Sequence, residues 1–298
     1  MTETSGPMST GKPFKIACIQ NTATPDLAEN VASLSSLIRD AATAGADFIA
    51  LPEHCTLMEP RTAVLHDHAV PLDAHPTLAH FKALAGELGR WMLIGSLPAR
   101  SPDGRIANCS VLLDNGGRVV ASYDKIHMFD VDLPTGERFR ESEDFQPGSA
   151  AQLADTPWGV LGMTVCYDLR FPQLYRALAQ GGARFITIPA AFTKVTGDAH
   201  WEILVRARAI ETGCFVIAPC QTGHHYAKRH TCGHSMIIDP WGKVLADGGD
   251  DVGFVMAEID PARIDQVRAM IPSLEHDRPF KVTGPVKTGG KPRISAVS

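Results

Sequence analysis

Long runs of one charge are missing from the sequence, and 28 basic against 33 acidic residues leave a net charge of only −5. A chain balanced in this way has no electrostatic footprint for nucleic acid or an anionic membrane surface, so a small-molecule partner is expected. Long apolar stretches are missing too. Nothing approaches the roughly 18 uninterrupted apolar residues of a membrane span, and the opening MTETSGPMSTGKP has neither a basic n-region nor an apolar h-region. A soluble, cytoplasmic protein is the expectation. The seven cysteines (18, 55, 109, 166, 214, 220 and 232) are odd in number and include no C-x-x-C pair, which argues against a disulfide framework and against structural zinc. Nor is there a G-x-G-x-x-G or G-x4-G-K-[ST] run, so no nucleotide-binding loop is signalled.

What is present is material for a large core: 298 residues, 44% of them apolar, with no linker or break in composition. One domain is expected at 13–277, between a short Ser, Thr, Gly and Pro segment at 1–12 that frays and a tail at 278–298 with five basic and no acidic residues. The tail is expected to stay mobile or to lie over the protein or a partner subunit. Short β-rich runs recur at 14–20, 48–53, 91–98, 107–114, 119–125, 160–168, 185–190, 214–220, 234–239 and 253–260, several apolar almost throughout, as in strands covered on both faces. Helical spacing appears at 26–45, 76–89, 172–182 and 199–213, each run leading into a strand. Between 91 and 125 the turns SPDGR and DNGGR join three successive strands as hairpins. Such a succession predicts an α/β fold, layered around a mixed sheet or a pair of sheets.

Three strands run apolar up to one reactive residue: FIALPE to Glu53, VVASYDK to Lys125 and VLGMTVC to Cys166. Singly, each has a bland reading, as a cap, a solvated strand end or a buried filler. Together they describe acyl transfer. A thiol becomes a nucleophile once a base takes its proton; Glu53 offers that base, with a pKa expected to be raised beside a future thiolate. Lys125 offers a positive charge to the oxyanion of a tetrahedral intermediate, a task the backbone amide of Tyr167 is placed to share.

In this order, LPE (51–53), YDKIHMFDVDLP (123–134) and GMTVCYDLRFP (162–172) resemble the three signature segments of the nitrilase, or carbon–nitrogen hydrolase, superfamily. The likeness runs from Phe14 to Arg278. It implies a single-domain, four-layer α-β-β-α sandwich and a Glu-Lys-Cys triad in which Glu53 is the general base, Lys125 the stabilising cation and Cys166 the nucleophile. In FRESEDFQPG (139–148), Glu141 best matches a second glutamate of many members that hydrogen-bonds the lysine; Glu143 lies two residues away. The runs 191–225 and 228–246 are similar to the branch of deaminated-glutathione amidases and omega-amidases, which implies hydrolysis of a small, carboxylate-bearing linear amide to acid and ammonia through a thioester. No cofactor or metal is implied. Members commonly form homodimers or larger homo-oligomers, and the helix at 199–213, with Trp201, Ile203 and Leu204, is a candidate interface.

Two departures bear on the pocket: His54-Cys55 after the glutamate, and Pro219-Cys220 in a segment that relatives keep small and alanine-rich. Candidates for holding a substrate carboxylate are Arg170 and the Lys228-Arg229 pair, with Phe192 and Thr193 lining the acyl pocket; Arg170 reads equally as a buried structural arginine. The histidines of HDH (66–68) and His224, His225 and His230 with Cys232 match no zinc spacing. The same triad also serves a nitrilase, an N-carbamoyl hydrolase or an acyl transferase. An idle scaffold of the same fold would be marked by loss of a triad member, and all three are present.

Overall fold

The computed structural model describes residues 11–281 and 284, apart from 102, 135 and 228. Residues 1–10 of the N-terminal segment expected at 1–12, Lys228 and most of the basic tail lie outside the described residues. The chain opens with β1 (Phe14–Gln20), α1 (Leu27–Thr43), β2 (Phe48–Ala50), α2 (Thr62–His68) and α3 (Pro76–Leu88), followed by β3 (Trp91–Arg100), β4 (Ile106–Leu113) and β5 (Val119–Asp124). A small hairpin, β6 (Asp130–Asp132) and β7 (Arg138–Arg140), precedes β8 (Gln152–Thr156), β9 (Gly159–Met163), α4 (Pro172–Gln180), β10 (Phe185–Thr187) and α5 (Lys194–Thr212). Then come β11 (Phe215–Ala218), the hairpin β12 (Thr222–Tyr226) and β13 (Arg229–Cys232), β14 (Met236–Ile238), β15 (Val244–Asp247), β16 (Gly253–Ile259) and α6 (Ala262–Met270).

Two six-stranded sheets form, in the orders β16-β1-β2-β3-β4-β5 and β15-β14-β11-β10-β9-β8. Strand alternation decides how they pack. Ile16 and Cys18 of β1 join Phe48, Leu93 and Leu112 in a core shared with Leu161, Met163 and Phe185 of the second sheet. Their neighbours Ala17 and Ile19 face the other way, onto Leu34 and Ile38 of α1 and Phe81 and Leu84 of α3, because successive side chains of a strand point to opposite faces. On the outer face of the second sheet lie Leu174 and Tyr175 of α4 and Trp201 and Val205 of α5. The result is the four-layer α-β-β-α sandwich that the resemblance implies. Phe14 stacks on Trp158 at 4.2 Å and meets Phe185 edge-on at 5.5 Å, pinning the two sheets together.

Several boundaries move once the tertiary contacts exist. The strands at Glu53 and Cys166 end before those residues, at Ala50 and Met163, and the chain turns sharply afterwards. Helix α5 begins at Lys194, five residues ahead of the expected start. Trp201 faces the core and donates to the His234 carbonyl at 2.8 Å, while Ile203 is 70% exposed, so of the interface candidates on this helix it is Ile203 that meets solvent. Two glycines permit close approaches that carry the site. A Cβ on Gly95 of β3 would fall 2.1 Å from the Pro52 carbonyl oxygen, and one on Gly148 would fall 2.2 Å from that of Asp124. Backbone can therefore pass directly against the residues next to Glu53 and Lys125.

Candidate active site

Glu53, Lys125, Glu141 and Cys166 meet in one cavity of about 330 Å³, although 113 residues separate the first from the last. Lys125, one residue past β5, is almost completely buried, and burial of an ammonium is tolerated only with opposite charge at hand. Its Nζ donates to Glu53 Oε1 at 2.9 Å and to Glu141 Oε1 and Oε2 at 2.8 and 2.7 Å. Glu141 opens a short 3-10 turn after β7 and also accepts the Phe129 amide at 2.7 Å. Of the two neighbouring candidates, Glu141 meets the lysine; Glu143 lines the cavity.

Cys166 begins a 3-10 turn, Cys166–Arg170, with φ of 47°. A non-glycine residue in this left-handed region is strained, by about 1–2 kcal/mol, and holds there only because neighbours fix it. Its amide donates to the Pro189 carbonyl at 2.9 Å, and two residues on Asp168 accepts the amide of Val165 at 2.9 Å. The strain turns the thiol out of the strand direction toward the cavity, where the Glu53 carboxylate and the Ala191 amide act on it.

The electrostatics differ from the sequence expectation in one respect. Burial alone would raise the Glu53 pKa, but the Lys125 ammonium outweighs it and brings the carboxyl down to about 2. The expected upward shift of Glu53 is thus reversed, because the lysine is in contact with it. Burial, together with the Glu53 charge, pushes the Cys166 thiol well above its ordinary range. Lys125, despite its burial, is held protonated by Glu141 and Glu53. The resting site is therefore a thiol beside an ionised carboxylate, with a fixed cation between two carboxylates.

Sequence reasoning missed Asn108. This fully buried side chain of β4 donates through Nδ2 to Glu53 Oε1 at 2.9 Å and to Glu141 Oε1 at 3.0 Å, joining the two acids. Its signal was an amide inside the apolar run ANCSVLLD, a poor choice for a covered strand unless it has polar partners. His54, at φ 51°, also lines the cavity, and burial lowers its pKa, which favours the neutral ring. Ligand atoms of Glu53, His54 and Glu141 lie within 4.8 Å of one another, the one grouping among the described residues close enough for a metal ion. The ammonium of Lys125 is hydrogen-bonded to both carboxylates and takes the place a cation would fill.

Tyr167, Phe192 and Thr193 line the cavity as well, with the Phe192 ring packed 5.1 Å from that of Trp201. Arg170 is not among the lining side chains. Its guanidinium lies 5.1 Å from the Phe192 ring centroid and hydrogen-bonds His200 Nδ1 at 3.3 Å. Arg229 does line the cavity. The histidine candidates are held locally: His225 is bonded to the Ala23 carbonyl and the Thr231 hydroxyl at 2.7 and 2.8 Å, and His66 faces Asp144 at 3.8 Å.

Comparison with known proteins adds the following. The family model described as carbon-nitrogen hydrolase matches residues 15–269. A deaminated glutathione amidase of Yersinia enterocolitica is 42% identical over 271 residues, covering 90% of this chain and 94% of that protein. The deaminated glutathione amidase of Homo sapiens is 42% identical over 269 residues, 89% of this chain and 82% of its own. Among solved structures, Saccharomyces cerevisiae Nit3, a member of branch 10 of the nitrilase superfamily, superposes with a TM-score of 0.81 at 27% identity, over 90% of this chain and 97% of that one. No helix among the described residues is long and apolar enough to cross a membrane.

Proposed function

The chain belongs to the carbon–nitrogen hydrolase family and is a hydrolase acting on amides; from that premise we propose that Cys166, Glu53 and Lys125, with Glu141, cleave a small linear amide through a cysteine thioester. The observation that carries the reading is the cavity wall itself, which Cys166 and Glu53 line together and where the ionised Glu53 accepts from a buried Lys125 that Glu141 also holds.

The pKa directions support one order of events. Because the thiol holds its proton tightly and Glu53 is a weak base, thiolate does not accumulate; the proton passes to Glu53 as sulfur closes on the amide carbon. The new C–S bond and the opened C=O place negative charge on oxygen. Lys125 answers that charge through its field, since its three N–H groups are already engaged by Glu53 and Glu141, and the Tyr167 amide is the hydrogen-bond donor of this reading. Glu53 then returns the proton to nitrogen, the C–N bond breaks, and ammonia leaves a thioester on Cys166. Water attacks that thioester with Glu53 taking its proton, and the acid departs as the thiol re-forms. Glu141 and Asn108 hold Lys125 and Glu53 in register.

The substrate in this reading carries a carboxylate besides the amide, as does deaminated glutathione, for which the relatives are named. Self-association into a homodimer belongs to the same reading; exposed Ile203 and Ile210 on α5 and the neighbouring Trp241 support it, and light scattering measures it. The test of the chemistry is ammonia release from deaminated glutathione, alpha-ketoglutaramate, succinamate, an N-carbamoyl amino acid and a nitrile, with Cys166→Ala alongside. Turnover of an amide that vanishes in the variant is expected. Wild-type-like activity without Cys166 would overturn the mechanism.

A further inference from the structure

One cation of the cavity has no acid to hold. Arg138 and Arg140 are paired with Asp132 at 2.8 Å, and Lys125 with Glu53 and Glu141. Arg229 forms no ion pair among the described residues. It starts β13, opposite Tyr226 in the β12–β13 hairpin, and that hairpin is tied to the cavity wall by the Thr193–Thr231 bridge and by the Cys232 amide bonded to the Phe192 carbonyl at 3.0 Å. The side chain is fixed at two points: Nη2 donates to the Ala191 carbonyl at 2.8 Å, and the guanidinium carbon sits 4.9 Å from the Phe139 ring centroid. The remaining terminal nitrogen, Nη1, is buried and has no hydrogen-bond partner. Leaving a charged donor buried and unanswered is costly, so a preorganised, unpaired guanidinium on a cavity wall is primed for an anion.

We propose that Arg229 is the residue that selects the substrate, binding a carboxylate on the acyl portion of the amide; the inference rests on the amidase reading above. Arginine suits the task because its planar fork matches the two oxygens of a carboxylate. The distance to the chemistry is set by Ala191. Its carbonyl accepts Arg229, while its amide donates to Glu53 Oε2 at 3.0 Å and lies against the Cys166 thiol. Anion site and nucleophile are thus one peptide unit apart, which suits a short acyl chain with its carboxylate a few bonds from the amide carbon. Arg170, the other arginine singled out from the sequence, is engaged by Phe192 and His200 and lines no part of this cavity.

The experiment compares kcat/KM for succinamate and for butyramide, its uncharged analogue, in the wild type, Arg229→Met, Arg229→Lys and Arg170→Met. The wild type prefers succinamate. Arg229→Met loses about 100-fold on succinamate, chiefly through KM, against a much smaller loss on butyramide, and Arg229→Lys recovers part of the preference. Equal losses on both amides in Arg229→Met would overturn the assignment and leave Arg229 as a prop for Ala191. So would a preference that survives in Arg229→Met and disappears in Arg170→Met. Should Arg229→Met not fold, the wild type and Arg229→Lys decide: a wild type indifferent to the carboxylate, or a lysine variant with undiminished preference, refutes it. Turnover of neither amide nor of any other amide by the wild type would instead remove the amidase reading, and the inference with it.

Discussion

Replacing Glu141 by Gln keeps the shape of the side chain and removes one charge, so its effects follow from the hydrogen bonds and the field. Oε1 accepts Lys125 and Asn108, and Oε2 accepts Lys125 and the Phe129 amide. In either orientation of the new amide, its NH2 faces two donors. Breaking one arm of a buried charge cluster costs about 3–5 kcal/mol, toward the lower figure here because Glu53 still neutralises Lys125. The chemistry suffers separately. The two carboxylates lie within 4.8 Å of each other, and at an effective dielectric constant of about 20 their repulsion is about 3.5 kcal/mol. Removing it weakens Glu53 as a base by more than two powers of ten in proton affinity. If half of that reaches the transition state, the rate falls about 20-fold, and a less firmly held Lys125 brings the loss in kcat/KM to about 100-fold. Initial rates of ammonia release across pH 6–9, with thermal melts of the same samples, measure both effects. Undiminished kcat/KM in a normally folded Glu141→Gln protein would refute the reasoning, as would a loss that Glu141→Asp, which keeps the charge, reproduces in full with no change in melting.

Three more outcomes are expected. Asp168 is completely buried and accepts the Tyr123 hydroxyl, the Val165 amide and the His127 amide at 2.8, 2.9 and 3.1 Å, joining the lysine segment to the cysteine turn; Asp168→Asn is expected to cost about 1–3 kcal/mol of stability and to lower kcat more than KM, and an unchanged kcat would count against the coupling. Cys166 is 7% exposed and is the only one of the seven cysteines that lines the cavity, the others being at most 1% exposed; iodoacetamide followed by peptide mass spectrometry should label Cys166 alone in the native protein and all seven after denaturation. Glu53 has a folded pKa of about 2 against roughly 4.3 unfolded, so its stabilising contribution is complete above the unfolded value and is lost as pH falls toward the folded one. Denaturation midpoints of wild type and Glu53→Gln should therefore draw together as pH falls from about 5 toward about 2, and a constant gap would contradict the shift.

By itself the sequence determined what short-range patterning controls. Helical spacing located α1, α3 and α4 to within two residues at their ends, and the hairpin turns between β3, β4 and β5 were readable from SPDGR and DNGGR, because these depend on neighbours a few positions away. Helices α2 and α6 and the β6–β7 and β12–β13 hairpins went unread, since their patterns are short and weakly periodic. The reactive residue types were legible for the same local reason: one ionisable or nucleophilic group at the end of each of three apolar runs. What only tertiary structure decided is what those groups meet. Asn108 lies 55 residues from Glu53 and 33 from Glu141 along the chain, yet bonds both. The direction of the Glu53 pKa turned on a contact with Lys125, 72 residues away, and tertiary packing alone put Arg229 on the cavity wall while leaving Arg170 off it. Electrostatics and hydrogen bonding fall off over a few ångströms through space, and sequence separation carries no measure of that distance until the sheets have packed.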